Sequence, residues 1–302
     1  MRLLHRQERT RVVITPQGPS AVIVMAAWKG GQGKSTLATH IASLVDGVLV
    51  DLEPWGAATG WWAGRHATTL WQGSEGSAVL RALATGKAPR LRRGEAGRPR
   101  LVPSHEQLLQ LGHGVSNGAS AASAWAWTAE GQPALMVPTA EGPRPLAQAL
   151  ASALPRWADE WGCPVIVDTP AGFSALGDGA IAAADVVVIP VTPDMWSVPA
   201  LDKFMAAYRE AIPAGLVVPN RIRTRRVSDE TWGDVLASPG VVRPPFVLGP
   251  SVMEAEVLHV ASRPIHSGPV AGETRETAIR QLETVAAAAL QLATSRSRQH
   301  AV

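Results

Sequence analysis

Cysteine, lysine and long apolar runs are the scarce features of this 302-residue chain. Its single cysteine, Cys163, cannot close an internal disulfide, and no Cys/His cluster has the spacing of a metal site, so structural zinc is excluded. One thiol also cannot ligate an iron–sulfur cluster. No stretch approaches the roughly 18 apolar residues that a membrane span requires. The first residues are basic but lack the apolar core of a secretory signal. These absences together predict a soluble, cytoplasmic protein. Only four of the 28 basic residues are lysine (Lys29, Lys34, Lys87 and Lys203), and the rest are arginine. Arginine's planar fork suits phosphate, so nucleic acid is a partner to consider, although a net charge of +3 does not establish it.

Hydrophobic residues make up 46% of the chain and charged residues 18%, enough apolar material for the core of one large domain. Short β-rich runs alternate with longer helical patterns. That alternation predicts an α/β fold with a mostly parallel, twisted sheet and helices on both faces. The clearest strands are 21–27, 47–51, 164–168, 185–191 and 216–219, with weaker ones at 100–103, 135–138 and 246–248. Helices are expected at 34–44, 144–161, 197–211, 228–238 and 273–293. Residues 85–99, rich in Gly, Pro and Arg, and 112–132, rich in Gly, Ala and Ser, read as surface excursions. The expected organisation is a basic arm (1–20), a single domain (21–294) and a short tail (295–302).

The strongest motif joins an apolar strand directly to a helix: Trp28-Lys-Gly-Gly-Gln-Gly-Lys-Ser-Thr36. Gly30, Gly31 and Gly33 let the backbone turn sharply and aim its N–H groups inward. Those donors and the positive end of the next helix form an anion site sized for phosphates. Gly30, Gly31, Gln32, Gly33, Lys34, Ser35 and Thr36 are therefore the expected nucleotide-binding loop. Lys34 would reach the terminal phosphates of ATP, and the Ser35 hydroxyl would face Mg²⁺.

Two further strands end in acids. Strand 47–51 runs into Asp51-Leu-Glu-Pro-Trp-Gly, and strand 164–168 ends in Asp168-Thr-Pro-Ala-Gly. Carboxylates at the carboxyl ends of parallel strands lie beside the crevice where such sheets bind ligands. Asp168 is the hard oxygen ligand expected on the Mg²⁺ side, and Gly172 would let its loop respond to the terminal phosphate. Asp51 is expected to support the same ion.

The glycine loop departs from the ordinary Walker A pattern, with Trp28 where a glycine would stand and Lys29 at the loop's start. In this it resembles the deviant Walker A motif of the ParA/MinD family of ATPases, and the short ParA partition proteins above all. The resemblance extends along nearly the whole chain, through Leu101-Val-Pro-Ser-His, Ala184-Asp-Val-Val-Val-Ile-Pro-Val-Thr-Pro and Val218-Pro-Asn-Arg. It implies a homodimer that sandwiches two ATP molecules, with Lys29 acting on the partner's nucleotide. Lys29, Lys34, Glu53 and Asp51 are then the catalytic set. Glu53 stands where the family usually has Asp and would position the attacking water, while Trp55 replaces the usual glutamine. By the same resemblance Asn220 and Arg221 would contact adenine, and a loop containing Pro264 would close over the base.

The resemblance also implies non-specific DNA binding and a ParB-like centromere-binding partner that stimulates hydrolysis, hence a nucleoid-associated protein. Arg223, Arg225 and Arg226, with Arg243 shortly after, form a cluster suited to several phosphates; the alternative is a solvated charge run. A second run (Arg90, Arg92, Arg93, Arg98 and Arg100) is read first as solubilising. No membrane partner is expected, because the last helix has no Phe or Trp and reads as core packing. The arm before the first strand is short for a helix-turn-helix domain. A MinD-like positioning ATPase and an ATP-dependent synthetase are the rival functions.

Overall fold

The chain's computed structural model describes residues 20–94, 97–112, 135–222, 232–253 and 273–299. The five apolar runs expected as strands form the middle of one parallel sheet. In chain order the first half contains β1 (Val22–Met25), α1 (Lys34–Leu44), β2 (Val48–Asp51), α2 (Ala57–Ala63), α3 (Ala67–Trp71), α4 (Ala78–Thr85), β3 (Arg100–Val102) and α5 (Leu109–Gly112). The ribbon strands β4 (Met136–Val137) and β5 (Arg144–Pro145) lead into α6 (Leu146–Trp161), β6 (Val165–Asp168), α7 (Ala175–Ala183), β7 (Val186–Val191) and α8 (Ser197–Tyr208). The chain continues with β8 (Gly215–Ile222), α9 (Trp232–Ala237), β9 (Phe246–Leu248), β10 (Val252–Met253) and α10 (Glu273–Gln299).

The sheet runs in the order β10-β8-β7-β1-β6-β2-β3, and β9 pairs with the start of β8 beside β10. Every pairing in it is parallel. From β1 the chain first moves one way, to β2 and β3. After β6 it crosses back to β7 and continues to the opposite edge. The reversal puts a crevice at the carboxyl ends of the central strands, which is where open parallel sheets bind ligands.

The two-residue period of the strands divides the core between the faces. Val22 and Val24 point to one side with Val50, Val167, Leu150, Trp157 and Phe204. Ile23 and Met25 point to the other, with Leu49, Ile166, Leu37, Ile41 and Leu282. Each such buried side chain contributes about 1.5–3 kcal/mol, so losing either face would unfold the domain. The apolar side of α10 lies in this second core: Leu282, Val285, Ala286 and Ala289 are fully buried. No described helix is long and apolar enough to cross a membrane.

Several elements differ from the expectation. Helix α7 lies in a stretch for which no helix was expected. Its two glycines lower helix propensity, yet Gly179 is needed: a Cβ there would meet the Ala147 carbonyl at 2.7 Å and Leu150 Cβ at 2.8 Å. The close packing of α6 on α7 therefore overrides local propensity. Helices α2, α3 and α4 are short; α4 nevertheless buries Val79, Ala82 and Leu83 on one face, with Ser77 capping it by accepting a hydrogen bond from the Leu80 N–H and Gly86 ending it. Residues 144–145 form β5 instead of the first turn of α6. Helix α10 runs through residues expected to belong to the tail, because it continues to Gln299. The excursion expected at 112–132 lies almost wholly outside the described residues.

Candidate active site

Strand β1 delivers the chain into the crevice, and the loop Trp28–Gly33 turns it into α1. Gly31 and Gly33 have φ of 77° and 92°, a region that side chains with a Cβ rarely adopt. Gly33 is fixed twice over, since a Cβ there would also collide with the Asn220 amide. Around Gly30 and Gly31 there is open space for a bound group. Gly33 caps α1 without any side-chain hydrogen bond, and no acid lies in the first turn. The helix's positive end is thus left unopposed.

Side chains from distant strands hold this loop in shape. The Gln32 Oε1 accepts a hydrogen bond of 2.7 Å from the Thr192 N–H, at the end of β7. Asn220 Nδ2, from β8, donates to the Gln32 carbonyl at 2.7 Å. Both residues are buried. Their side chains brace the loop from behind, so the Asn220 amide nitrogen is already engaged inside the protein. Arg221, next along β8, has a positive φ of 59°. On the other side of the loop the Gly172 N–H donates to the Ala27 carbonyl at 3.0 Å, and Trp28 packs edge-on against Phe173 with ring centroids 4.2 Å apart. Gly172 itself has φ of 76°. The loop after β6 is therefore latched to the phosphate loop.

Asp51 and Asp168 face each other in register across β2 and β6. Both are fully buried. Asp51 Oδ2 accepts from the Thr59 N–H and the Thr59 hydroxyl, each at 2.7 Å, and Oδ1 accepts from the Glu53 N–H at 3.1 Å. The network continues outward: the Ser104 N–H donates to Thr59 Oγ1 at 2.8 Å, and Ser104 Oγ donates to the Glu53 carbonyl at 2.7 Å. Asp51 thus ties down the loop that carries Glu53. Asp168 differs: among the described residues neither of its carboxylate oxygens meets a donor in hydrogen-bond geometry, although the Ser35 hydroxyl lies near enough to favour its anion. Burial pushes Asp168 up to about 7, against the opposing pull of Ser35 and Lys34. Asp51 is raised too, by burial first and then by the charge of Asp168. A desolvated carboxylate without a partner calls for a proton or a cation.

Lys34, at the first turn of α1, is buried. Its ammonium favours the ionised forms of both Asp168 and Glu53. Glu53 is half-buried and raised above its ordinary value by desolvation, with the Trp55 N–H, which lies 3.3 Å from Oε1, working the other way. Lys34, Ser35, Glu53, Asp51 and Asp168 are therefore brought together at one end of the sheet.

Lys29 is held within its own chain. Its Nζ lies 2.8 Å from Asp194 Oδ1, on the loop after β7. The hydroxyls of Thr192 and Ser197 donate to Asp194 Oδ2 at 2.8 and 2.7 Å, and the Trp196 N–H donates to Oδ1 at 3.1 Å. Partial burial disfavours the Asp194 anion, but the Lys29 ammonium and these donors outweigh it and hold the carboxyl below its usual range. Asp194, Thr59 and Ser104 were not singled out from sequence for these roles. The acid two residues after the Val-Thr end of β7 was the available signal for Asp194. Thr59 carries no signal, because only the fold brings it to Asp51. Asp185, to which no chemistry was assigned, accepts from the Val22 N–H at 2.8 Å and anchors the start of β1.

Arg243 is exposed after α9 and donates from Nε to the Gly240 carbonyl at 2.5 Å. Arg223, Arg225, Arg226 and Pro264 lie outside the described residues.

No protein-family model and no characterised protein matches the chain by sequence. Solved structures match by shape. A plasmid partition protein from Borrelia burgdorferi B31 bound to AMPPNP is similar with a TM-score of 0.56 and 17% identity, over 89% of this chain and 98% of that one. An ATP complex of a Cyanothece McdA variant gives a TM-score of 0.62 and 19% identity, over 88% and 95%. The chain shares the fold of these proteins. A cobyrinic acid a,c-diamide synthase from Mycobacterium smegmatis with bound ADP and magnesium is similar as well, with a TM-score of 0.57 and 19% identity over 88% and 93%. Partition and synthase structures match to much the same degree, so the fold alone does not choose between their chemistries.

Proposed function

We propose that this chain is a ParA-type ATPase that binds ATP with Mg²⁺ as a sandwich dimer. The dimer would bind DNA non-specifically, and a ParB-like partner would trigger hydrolysis and release. The observation that carries the nucleotide half is Asp168: a fully buried, unpartnered carboxylate beside Lys34 and Ser35, at the mouth of a glycine loop built for anions. The residues fit the implied group. Lys34 and the loop N–H groups would hold the phosphates, with Ser35 and Asp168 on the metal side, and a bound Mg²⁺ would neutralise phosphate charge there. Glu53, which keeps its side chain half-exposed, orients the attacking water. Asp51 positions Glu53 through the backbone it anchors.

The dimer half of the proposal rests on Lys29. The Lys29 side chain is 40% exposed and held by one carboxylate, so its ammonium is within reach of a second chain. Exchange of Asp194 for a partner's phosphate would release it to stabilise charge on the transferred group. The DNA half rests on Arg223, Arg225, Arg226 and Arg243, read from sequence. A synthetase shares the fold, but the Lys29 loop with Asp51-Leu-Glu53-Pro favours a switch ATPase.

Two assays test these halves. Lys29→Ala should abolish ATP hydrolysis while retaining nucleotide affinity; normal turnover in that variant overturns the cross-dimer role. Binding to non-specific duplex DNA should require ATP and weaken steeply with salt. Absence of ATP-dependent binding at low salt would sink the partition function.

A further inference from the structure

The edge of the sheet opposite Asn220 carries a second concentration of positive charge. Between residues 81 and 100 the chain has six arginines and one lysine against a single glutamate. After α4 the backbone returns along the outside of β3, where Arg92 and Leu101 exchange two antiparallel hydrogen bonds of 2.8 and 2.9 Å. Charges commonly protect an open sheet edge from pairing. Here the returning backbone already pairs with that edge, so protection does not account for the arginines.

They line concave surface. One cleft of about 720 Å³ is walled by Trp62, Arg90, Leu91, Arg92, Arg93 and Arg100. A second, of about 360 Å³, shares Arg90 and Arg92 and adds Arg81 and His105. The two clefts therefore adjoin along one basic track. Glu75 pairs with the track, at 3.1 Å from Arg92 and 3.7 Å from Arg81. Arg98 and Arg100 donate to the carbonyls of Trp62 and Asp46, at 2.6 and 2.7 Å. Arg90 and Arg93 are exposed and form no ion pair or hydrogen bond among the described residues.

Like charges crowded into a concavity focus the field on an anionic ligand. Guanidinium forks match phosphate oxygens in pairs. Trp62 is packed on the core, with its Nε1 donating to the Pro99 carbonyl at 2.8 Å and the Arg98 guanidinium 6.0 Å from its ring centroid, so the guanidinia carry the recognition. Guanidinia spread over two adjoining clefts fit the repeated phosphates of a nucleic-acid backbone better than a lone phosphate. We propose that the 81–100 strap is a nucleic-acid-binding surface that works without nucleotide. None of its arginines belongs to the phosphate loop or to the carboxylates beside it. It is also separate from the expected DNA contacts near β8, since five strand spacings between β3 and β8 amount to about 24 Å.

The test uses the full chain, labelled single-stranded and duplex DNA, and anisotropy titrations across a salt series, with and without ATP. Without nucleotide, binding should be measurable at low salt. Arg90→Ala/Arg93→Ala should weaken it about tenfold and reduce the log–log salt slope by roughly 2, about one per lost phosphate contact. Both residues are exposed and form no ion pair among the described residues, so the double variant should keep the wild-type melting temperature and ATPase rate. Arg144→Ala, which removes a surface partner of Glu141 elsewhere, should change nothing. Single-stranded and duplex DNA should both bind, as contact through phosphates predicts. No binding without nucleotide, or an unchanged slope in the double variant, overturns the proposal. Loss of only the ATP-dependent component in Arg223→Ala/Arg225→Ala/Arg226→Ala would separate this surface from the proposed partition activity. Either surface can fail without the other.

Discussion

The carboxyl ends of β2 and β6 lie side by side, and their two aspartates share a register position, a burial and a raised proton affinity. Their hydrogen bonding is opposite. Asp51 accepts three hydrogen bonds and fixes the 52–59 loop; Asp168 accepts none among the described residues. Two acids that look equivalent in the sequence therefore divide the work: one organises protein, and the other is left for a ligand. Buried polar groups are nearly always satisfied within a fold. Asp168 stands out because its unsatisfied oxygens sit beside Lys34 and Ser35, where chemistry is expected.

The largest expected effect lies between them, at Lys34. Lys34→Ala should weaken ATP binding about 100-fold, the loss of one to two charge-assisted hydrogen bonds, read by calorimetric titration. A variant that binds as well as wild type would remove the phosphate loop from the account. Asp51→Ala should act on stability instead. It strands the Thr59 and Glu53 donors and should cost roughly 3 kcal/mol in denaturant unfolding. If Asp51→Ala kept full stability and lost only Mg²⁺ dependence, the division between the two acids would be reversed.

Asp168 should behave in the opposite sense when no divalent cation is present. Its folded-state pKa is raised from the ordinary 3.8 to about 7, so between those values the folded protein holds a proton that the unfolded chain has lost. Stability should therefore fall as pH rises through that window. Asp51 is raised as well and adds in the same direction. Asp168→Asn should flatten much of the fall and raise the melting temperature above pH 7. A wild-type melting temperature that climbs with pH across the window would contradict the burial argument. The smallest effect belongs to Lys29. Its partly exposed pair with Asp194 is worth less than about 1 kcal/mol, so Lys29→Met should leave the melting temperature nearly unchanged.

Much of this arrangement was legible in the sequence, because the strand–glycine loop–helix order and the acids closing two apolar runs are local signals. Helix α1 spans the residues expected, and Gly31 and Gly33 adopt the positive φ that their loop required. What escaped was non-local. Whether Asp51 or Asp168 keeps free oxygens depends on Thr59, which arrives through α2. The partner of Lys29 lies on a loop 165 residues away. Asn220 and Gln32 were expected at the nucleotide, yet each donates or accepts within the loop's own support. Helix α7 was hidden by glycines whose purpose is close packing. The basic strap at β3 looked like a solvated run until the returning backbone and the two clefts gave it a shape.

The most direct test of the central claim measures ATP affinity with Mg²⁺ and with EDTA, in wild type and in Asp168→Asn. Wild type should bind more tightly with Mg²⁺, and Asp168→Asn should lose that increment while keeping the affinity seen in EDTA. An undiminished Mg²⁺ increment in Asp168→Asn, or no ATP binding by the wild-type chain, would contradict the account.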